Sequence, residues 1–116
     1  MRLNIKATHL ELTPSIKQRI EGICAKLEKI VAVDGEDAVK CAVEIEKITE
    51  HHHKGNIFRA EINMTILGAY VRAVAEGETI FSALDDAHDE IKREITHGKE
   101  KRHSAVRRTG ARLRRK

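Results

Sequence analysis

Aromatic side chains are nearly absent from this 116-residue chain; Phe58, Tyr70 and Phe81 are the whole set. Proteins that read single-stranded RNA stack unpaired bases on aromatic platforms, and three scattered rings can hardly furnish one. A nucleic-acid ligand, if there is one, must be read mainly through phosphates, sugars and shape. Cysteine is scarce as well. Cys24 and Cys41 sit in apolar patterns with no CxxC or CxxH companion, so they read as two small buried thiols in a reducing cytoplasm. No run of about 18 apolar residues exists to span a membrane. Met1-Arg2-Leu3-Asn4-Ile5-Lys6 lacks the apolar stretch of a signal peptide. Catalytic signatures are missing too. Ser15, Ser82 and Ser104 lie in no nucleophile elbow, there is no GxxxxGK(S/T) phosphate loop, and the carboxylates are scattered with no evident apolar pocket to shift them. The expectation is a soluble cytoplasmic protein that is not an enzyme and needs no cofactor.

What the chain does have is segregated charge. Residues 99–116 hold nine of the 22 Lys and Arg but one acid, Glu100, a balance of +8. Residues 1–98 hold the remaining 13 basic residues against 17 acids, a balance of −4. The overall +4 therefore joins a mildly acidic body to a strongly basic tail. Separation of this kind points to a polyanionic partner, nucleic acid above all.

Hydrophobic periodicity divides the body into six elements. Leu3, Ile5 and Ala7 alternate with polar neighbours as a short strand. Thr13-Pro14 then opens a helix, Thr offering a capping oxygen and Pro presetting φ at the first helical position. Ile16, Ile20, Ile23, Leu27 and Ile30 form its apolar stripe, and Asp34-Gly35 carries turn chemistry. Val39, Cys41, Val43 and Ile45 predict a second strand; Phe58, Ala60, Ile62, Met64 and Ile66 a third. Leu67-Gly68-Ala69 turns into a fourth strand over 70–76, and the short connections suit an antiparallel meander. Gly77-Glu78-Thr79 leads into a second helix striped by Ile80, Leu84, Ala87, Ile91 and Ile95. Gly98 either stops this helix or is tolerated inside it at about 1 kcal/mol.

The order β-α-β-β-β-α predicts a two-layer α+β domain, a four-stranded sheet with both helices on one face. Strand one, the first helix and strand two make a crossover unit, expected to be right-handed. The other sheet face would carry Lys40, Glu44, Arg59, Glu61 and Asn63 and stay wet. The expected division is a body, 1–98, and a flexible basic tail, 99–116. Three adjacent histidines, His51, His52 and His53, cannot all converge on one ion from a loop and read as a polar loop, not a metal site. His88, on the inner side of the second helix, reads as a packed or rim histidine.

The residues resemble those of a known family, the short-form ribosome hibernation promoting factors and ribosome-associated translation inhibitors of bacteria. The resemblance runs from Leu3 to about Lys101. It rests on Thr13-Pro14, on Lys26-Leu27-Glu28-Lys29, and on the run Gly55-Asn56-Ile57-Phe58-Arg59-Ala60-Glu61-Ile62. Tyr70-Val71-Arg72-Ala73 to Glu76-Gly77-Glu78 extends it, as do Asp89, Ile91, Arg93, Ile95, Lys99 and Lys101. It implies a fold related to double-stranded RNA-binding domains. It also implies a function without catalysis: occupying the small ribosomal subunit between head and body, blocking messenger and transfer RNA and silencing idle ribosomes in stress or stationary phase. The implied partners are the 16S rRNA and neighbouring proteins of the small subunit, in 70S or paired 70S ribosomes, with no membrane involved and a monomer off the ribosome. Long members add a dimerisation domain, for which 116 residues leave no room. Glu90, Thr96 and His97 depart from positions that are often basic in the family, and the basic tail has no counterpart that the resemblance assigns.

Ribosomal RNA is largely A-form, and its deep major groove excludes side chains, so Arg and Lys contacts to phosphate carry the binding. The candidates on the body are Lys26, Lys29, Lys92 and Arg93. Lys99, Lys101 and Arg102 join body to tail, and Arg107, Arg108, Arg112, Arg114, Arg115 and Lys116 act as a group. Each of these cations has the plainer reading of a solvated surface charge. Asp85, Asp86, Asp89 and Glu90 read as solubilising acids early in a helix, where the macrodipole favours them. The competing reading of the whole chain is a generic module for structured RNA not confined to the ribosome.

Overall fold

The computed structural model describes residues 1–31, 38–48 and 57–114, and from residue 98 on the backbone alone. Six elements follow one another: β1 (Arg2–Thr8), α1 (Pro14–Val31), β2 (Val39–Ile48), β3 (Ile57–Ile66), β4 (Ala69–Gly77) and α2 (Ile80–Arg114). The sheet runs β1-β2-β3-β4, with β1 parallel to β2 and the other two pairings antiparallel. This is the two-layer α+β arrangement that the periodicities imply. The turn expected at Asp34-Gly35 and the loop with His51, His52 and His53 lie outside the described residues.

Local chemistry starts and stops these elements where the sequence places the signals. Thr13 Oγ1 accepts the Ile16 N–H at 3.3 Å and the Thr13 carbonyl accepts the Lys17 N–H at 2.9 Å, closing the first turn of α1. Thr79 and Ser82 cap α2 reciprocally: the Ser82 N–H donates to Thr79 Oγ1 at 3.0 Å, and the Thr79 N–H to Ser82 Oγ at 3.3 Å. Such a cap contributes about 1 kcal/mol. Gly77 makes it possible, because a Cβ there would stand 2.4 Å from Ser82 Oγ and 3.0 Å from the Ala83 nitrogen. Between β3 and β4, Leu67 (φ 48°) and Gly68 (φ 85°) both take left-handed backbone, the geometry of a tight two-residue hairpin turn.

The core is aliphatic. Val39, Cys41, Val43 and Ile45 of β2 and Ala60, Ile62, Met64 and Ile66 of β3 are buried under Ile16, Ile20, Ile23, Leu27 and Val31 of α1 and Ile80, Leu84, Ala87, Ile91 and Ile95 of α2. Each large side chain fully buried there contributes roughly 1.5–3 kcal/mol. Cys24 and Cys41 are free and buried, their sulfurs 3.7 Å apart between α1 and β2. The hydrogen bond that Cys24 shares with Cys41, with burial, pushes the Cys24 thiol far up, so it stays protonated and can donate.

Topology fixes the relation of the two helices. β2 and β4 point the same way, since two antiparallel steps separate them, and β1 is parallel to β2. A helix returning from β1 and a helix returning from β4 must therefore run parallel to each other. At the far end α2 continues through Gly98 to Arg114, so of the two readings of Gly98 the backbone takes the tolerated interior.

The open face of the sheet departs from expectation at Glu61, which is only 7% exposed rather than wet. Arg72, on the neighbouring strand, donates to Glu61 Oε1, and Arg59 Nη2 stands 3.6 Å from the same oxygen. Burial raises the Glu61 carboxyl, but the Arg72 hydrogen bond and the charges of Arg72 and Arg59 outweigh it and hold the group below its ordinary 4.5. Replacing Arg72 by Ala leaves Arg59 as the remaining cation beside a nearly buried carboxylate. In urea unfolding Arg72→Ala should cost about 1–2 kcal/mol at neutral pH, and the deficit should shrink as Glu61 is protonated in acid.

Candidate nucleic-acid interface

The two parallel helices meet in a constant register. Arg19 of α1 reaches Asp85 of α2, its Nη1 donating to Oδ1 at 2.9 Å and Oδ2 at 3.1 Å, while its guanidinium lies 5.3 Å from the Phe81 ring centre. Two turns further along, Lys26 of α1 and Lys92 of α2 both act electrostatically on His88. Arg19 to Lys26 and Asp85 to Lys92 are equal steps of seven residues along their helices. The same offset puts Lys92 near the level of Lys26 along the two helices, and Lys26 lines the interhelical groove. The groove has a volume of about 540 Å³, and Gly22, Ile23 and Lys26 line it on one side and Phe81, Asp85 and His88 on the other.

Charge along the helical layer is therefore graded. The early turns of α2 present exposed Asp85, Asp86, Asp89 and Glu90, with Asp85 neutralised by Arg19. Exposed Lys26 and Lys29 then face the part of α2 that carries exposed Lys92 and Arg93. Lys29 stands in the last turn of α1, where a cation also complements the helix dipole. No salt bridge ties down Lys26, Lys29, Lys92 or Arg93 among the described residues.

His88 sits between these charges. Its Nε2 is buried and has no hydrogen-bond partner among the described residues. Burial lowers its pKa below the ordinary 6.5, and Lys26 and Lys92 add to this against the opposing pull of Asp89 and Asp85. Its folded form is therefore the neutral imidazole at pH 7.

Of the cations named from the sequence, Lys26 and Lys29 are exposed on α1 and Lys92 and Arg93 on α2, with Lys26 lining the interhelical groove. Lys99, Lys101, Arg102, Arg107, Arg108, Arg112 and Arg114 lie on the α2 backbone beyond Gly98, their side chains outside the described set. Arg115 and Lys116 lie outside the described residues. Sequence reasoning did not find Arg19, which occupies Asp85 and so frees the groove of one acid. The equal seven-residue steps were its available signal, legible once the helices are known to run parallel. Among the described residues no three His, Cys, Asp or Glu side chains come together as metal ligands would, and no helix is long and apolar enough to cross a membrane.

The environment of His88 has a measurable consequence. Because its folded pKa is lower, the unfolded chain binds the proton first as pH falls. Stability attributable to His88 is therefore full above about pH 6.5 and declines below it until the folded imidazole also titrates. Urea unfolding between about pH 7.5 and 5 should show a smaller loss for His88→Gln than for the parent chain.

Residues 3–103 match the family model described as Sigma 54 modulation protein / S30EA ribosomal protein. The ribosome hibernation promoting factor of Klebsiella oxytoca is 29% identical over 101 residues, covering 87% of this chain and 96% of that one. Its counterpart in Pseudomonas putida is 27% identical over 116 residues, 97% of this chain and 100% of the relative, so the alignment includes the basic segment. Among solved structures, the N-terminal domain of Thermus thermophilus Protein Y superposes with a TM-score of 0.67 at 24% identity, over 84% of this chain and 98% of that domain.

Proposed function

Because the chain belongs to the Sigma 54 modulation protein / S30EA ribosomal protein family, that of the ribosome hibernation promoting factors, we propose that it is a ribosome-binding factor that silences or preserves idle ribosomes. It acts by occupancy. The body sits in the decoding region of the small subunit, against 16S rRNA and neighbouring proteins, where it excludes messenger and transfer RNA without catalysing a reaction.

The observation that carries this reading is the family match over residues 3–103, and the fold supports it by exposing Lys26 and Lys29 on α1 and Lys92 and Arg93 on α2. Cations held on two packed helices can meet a phosphate backbone at positions set by the fold, which is what recognition of A-form RNA by shape requires. Residues 99–116, whose backbone continues α2 as far as Arg114, then act as a basic extension that lies along the path of messenger RNA and strengthens a position chosen by the body. The division of labour suits the composition, in which the body is acidic overall and the extension carries +8.

Sucrose-gradient sedimentation of a tagged chain from stationary-phase cells tests the proposal. The chain should travel with small subunits and 70S particles at low salt; recovery only at the top of the gradient contradicts it. A chain that binds duplex RNA fragments as tightly as small subunits would instead be a general RNA-binding module. The contributions of body and extension separate by salt dependence. With about six extension charges on phosphates, affinity should fall roughly a thousandfold between about 50 and 200 mM salt. Deleting 104–116 should flatten that slope, whereas Lys26→Ala or Lys92→Ala should lower it by about one unit each. An unchanged slope after deletion makes the extension a bystander.

A further inference from the structure

The face of the sheet opposite the helices carries a second constellation. Register places Arg2, Lys40, Thr65 and Tyr70 abreast across β1 to β4, and Asn4, Ala42, Asn63 and Arg72 abreast in the next row. Neither row contains an acid. Glu44, Glu46, Glu61 and Glu76 all fall in the two rows beyond, so this face too is split into a cationic half and an acidic half. Lys40 is exposed and enters no ion pair among the described residues.

A shallow concavity of about 450 Å³ occupies the cationic half, with Lys40 and Tyr70 on its walls and Ala42 on its floor. Tyr70 is 65% exposed, one of two large apolar side chains left so open among the described residues. It is not loose, however. Its hydroxyl donates to Asn63 Oδ1 at 2.6 Å, which pins the far end of the ring to the sheet. The amide nitrogen of Asn63 remains as a donor beside the ring. A held aromatic face, an amide and a row of cations form the minimum set for one unpaired nucleotide: the base stacks, the amide meets a base edge, and the flanking phosphates meet Lys40 and Arg2. A base paired inside a duplex cannot reach a ring that lies on a sheet surface, so the chemistry selects single strands.

We propose that this concavity is a second RNA site, in which Tyr70 stacks an unpaired base of a single-stranded segment and Lys40 and Arg2 hold its phosphates. The scarcity of aromatics fits a single-base clasp rather than a reader of sequence. The site lies on the layer opposite Lys26 and Lys92 and stands independently of the ribosomal reading. On a ribosome it would let the domain be gripped from both faces.

The chain contains one tyrosine and no tryptophan, so its intrinsic tyrosine emission reports on Tyr70 alone. Titrating the full chain with a short oligouridylate should quench that emission saturably, while inorganic polyphosphate, which offers charge without bases, should leave it largely unchanged. Lys40→Glu should move the oligouridylate midpoint up by roughly tenfold, and Lys26→Glu should move it much less. At about 200 mM salt, where contacts through charge alone are weakened, Tyr70→Ala should lower oligouridylate affinity roughly tenfold by fluorescence anisotropy, and Tyr70→Phe should retain it. Three results would each overturn the site: absence of quenching, equal quenching by polyphosphate, or a Tyr70→Ala chain that binds oligouridylate as tightly as its parent. Emission that responds to a ribosomal protein but not to oligouridylate overturns it in favour of a protein-docking face.

Discussion

The parallel course of α1 and α2 is the constraint on which the functional surface depends. It is not a choice made by the helices. One parallel and two antiparallel strand pairings leave each helix returning in the same direction over the same face. Buried aliphatic stripes then lock the register, and the Arg19–Asp85 pair lies on that register rather than creating it. That pair is exposed and contributes about 1 kcal/mol at most. What it changes is the electrostatics of the groove, by neutralising an acid where phosphate would otherwise be repelled.

The same register explains how an acidic body can bind RNA. Net charge averages over surfaces that never meet the ligand. On the helical layer Asp85, Asp86, Asp89 and Glu90 fall in the early turns of α2, and the candidate cations Lys92 and Arg93 follow with Glu94 beside them. On the sheet, the rows nearest the β3–β4 hairpin are cationic and the rows beyond are rich in Glu. Buried polar groups mark both regions. Glu61 is held by two arginines, while burial keeps His88 neutral and its Nε2 has no hydrogen-bond partner among the described residues.

Much of this was legible in the sequence, for identifiable reasons. Alternation of period two in Val39–Ile45 and Phe58–Ile66 and the helical spacing from Ile16 to Leu27 are imposed by burial on one face, so they survive without knowledge of the partner element. Thr13-Pro14 is local chemistry and reads directly. Glu61 did not read correctly because Arg72, which only strand register brings to it, joins Arg59 of the same strand in covering and pairing it. Helical continuation through Gly98 was equally open, since about 1 kcal/mol for an interior glycine does not outweigh a long helix. Tyr70 looked like one of too few aromatics; its worth comes from Asn63 and from the cations abreast of it, which are invisible until the strands are aligned. On the helices, Lys26 and Lys92 were each legible as exposed basic residues, but their common action on His88 was not.

Phosphate binding at Lys26 and Lys92 is the central claim, and His88, on which both charges act, reports on it. The imidazole titration of His88, assigned by comparison with His88→Gln, can be followed by NMR in the free chain and in the presence of an A-form RNA duplex from the small subunit. If phosphate sits between Lys26 and Lys92, it cancels the charges that help to depress His88, and the His88 pKa should rise on binding. Binding that leaves the His88 titration unmoved would place the RNA elsewhere and contradict the account.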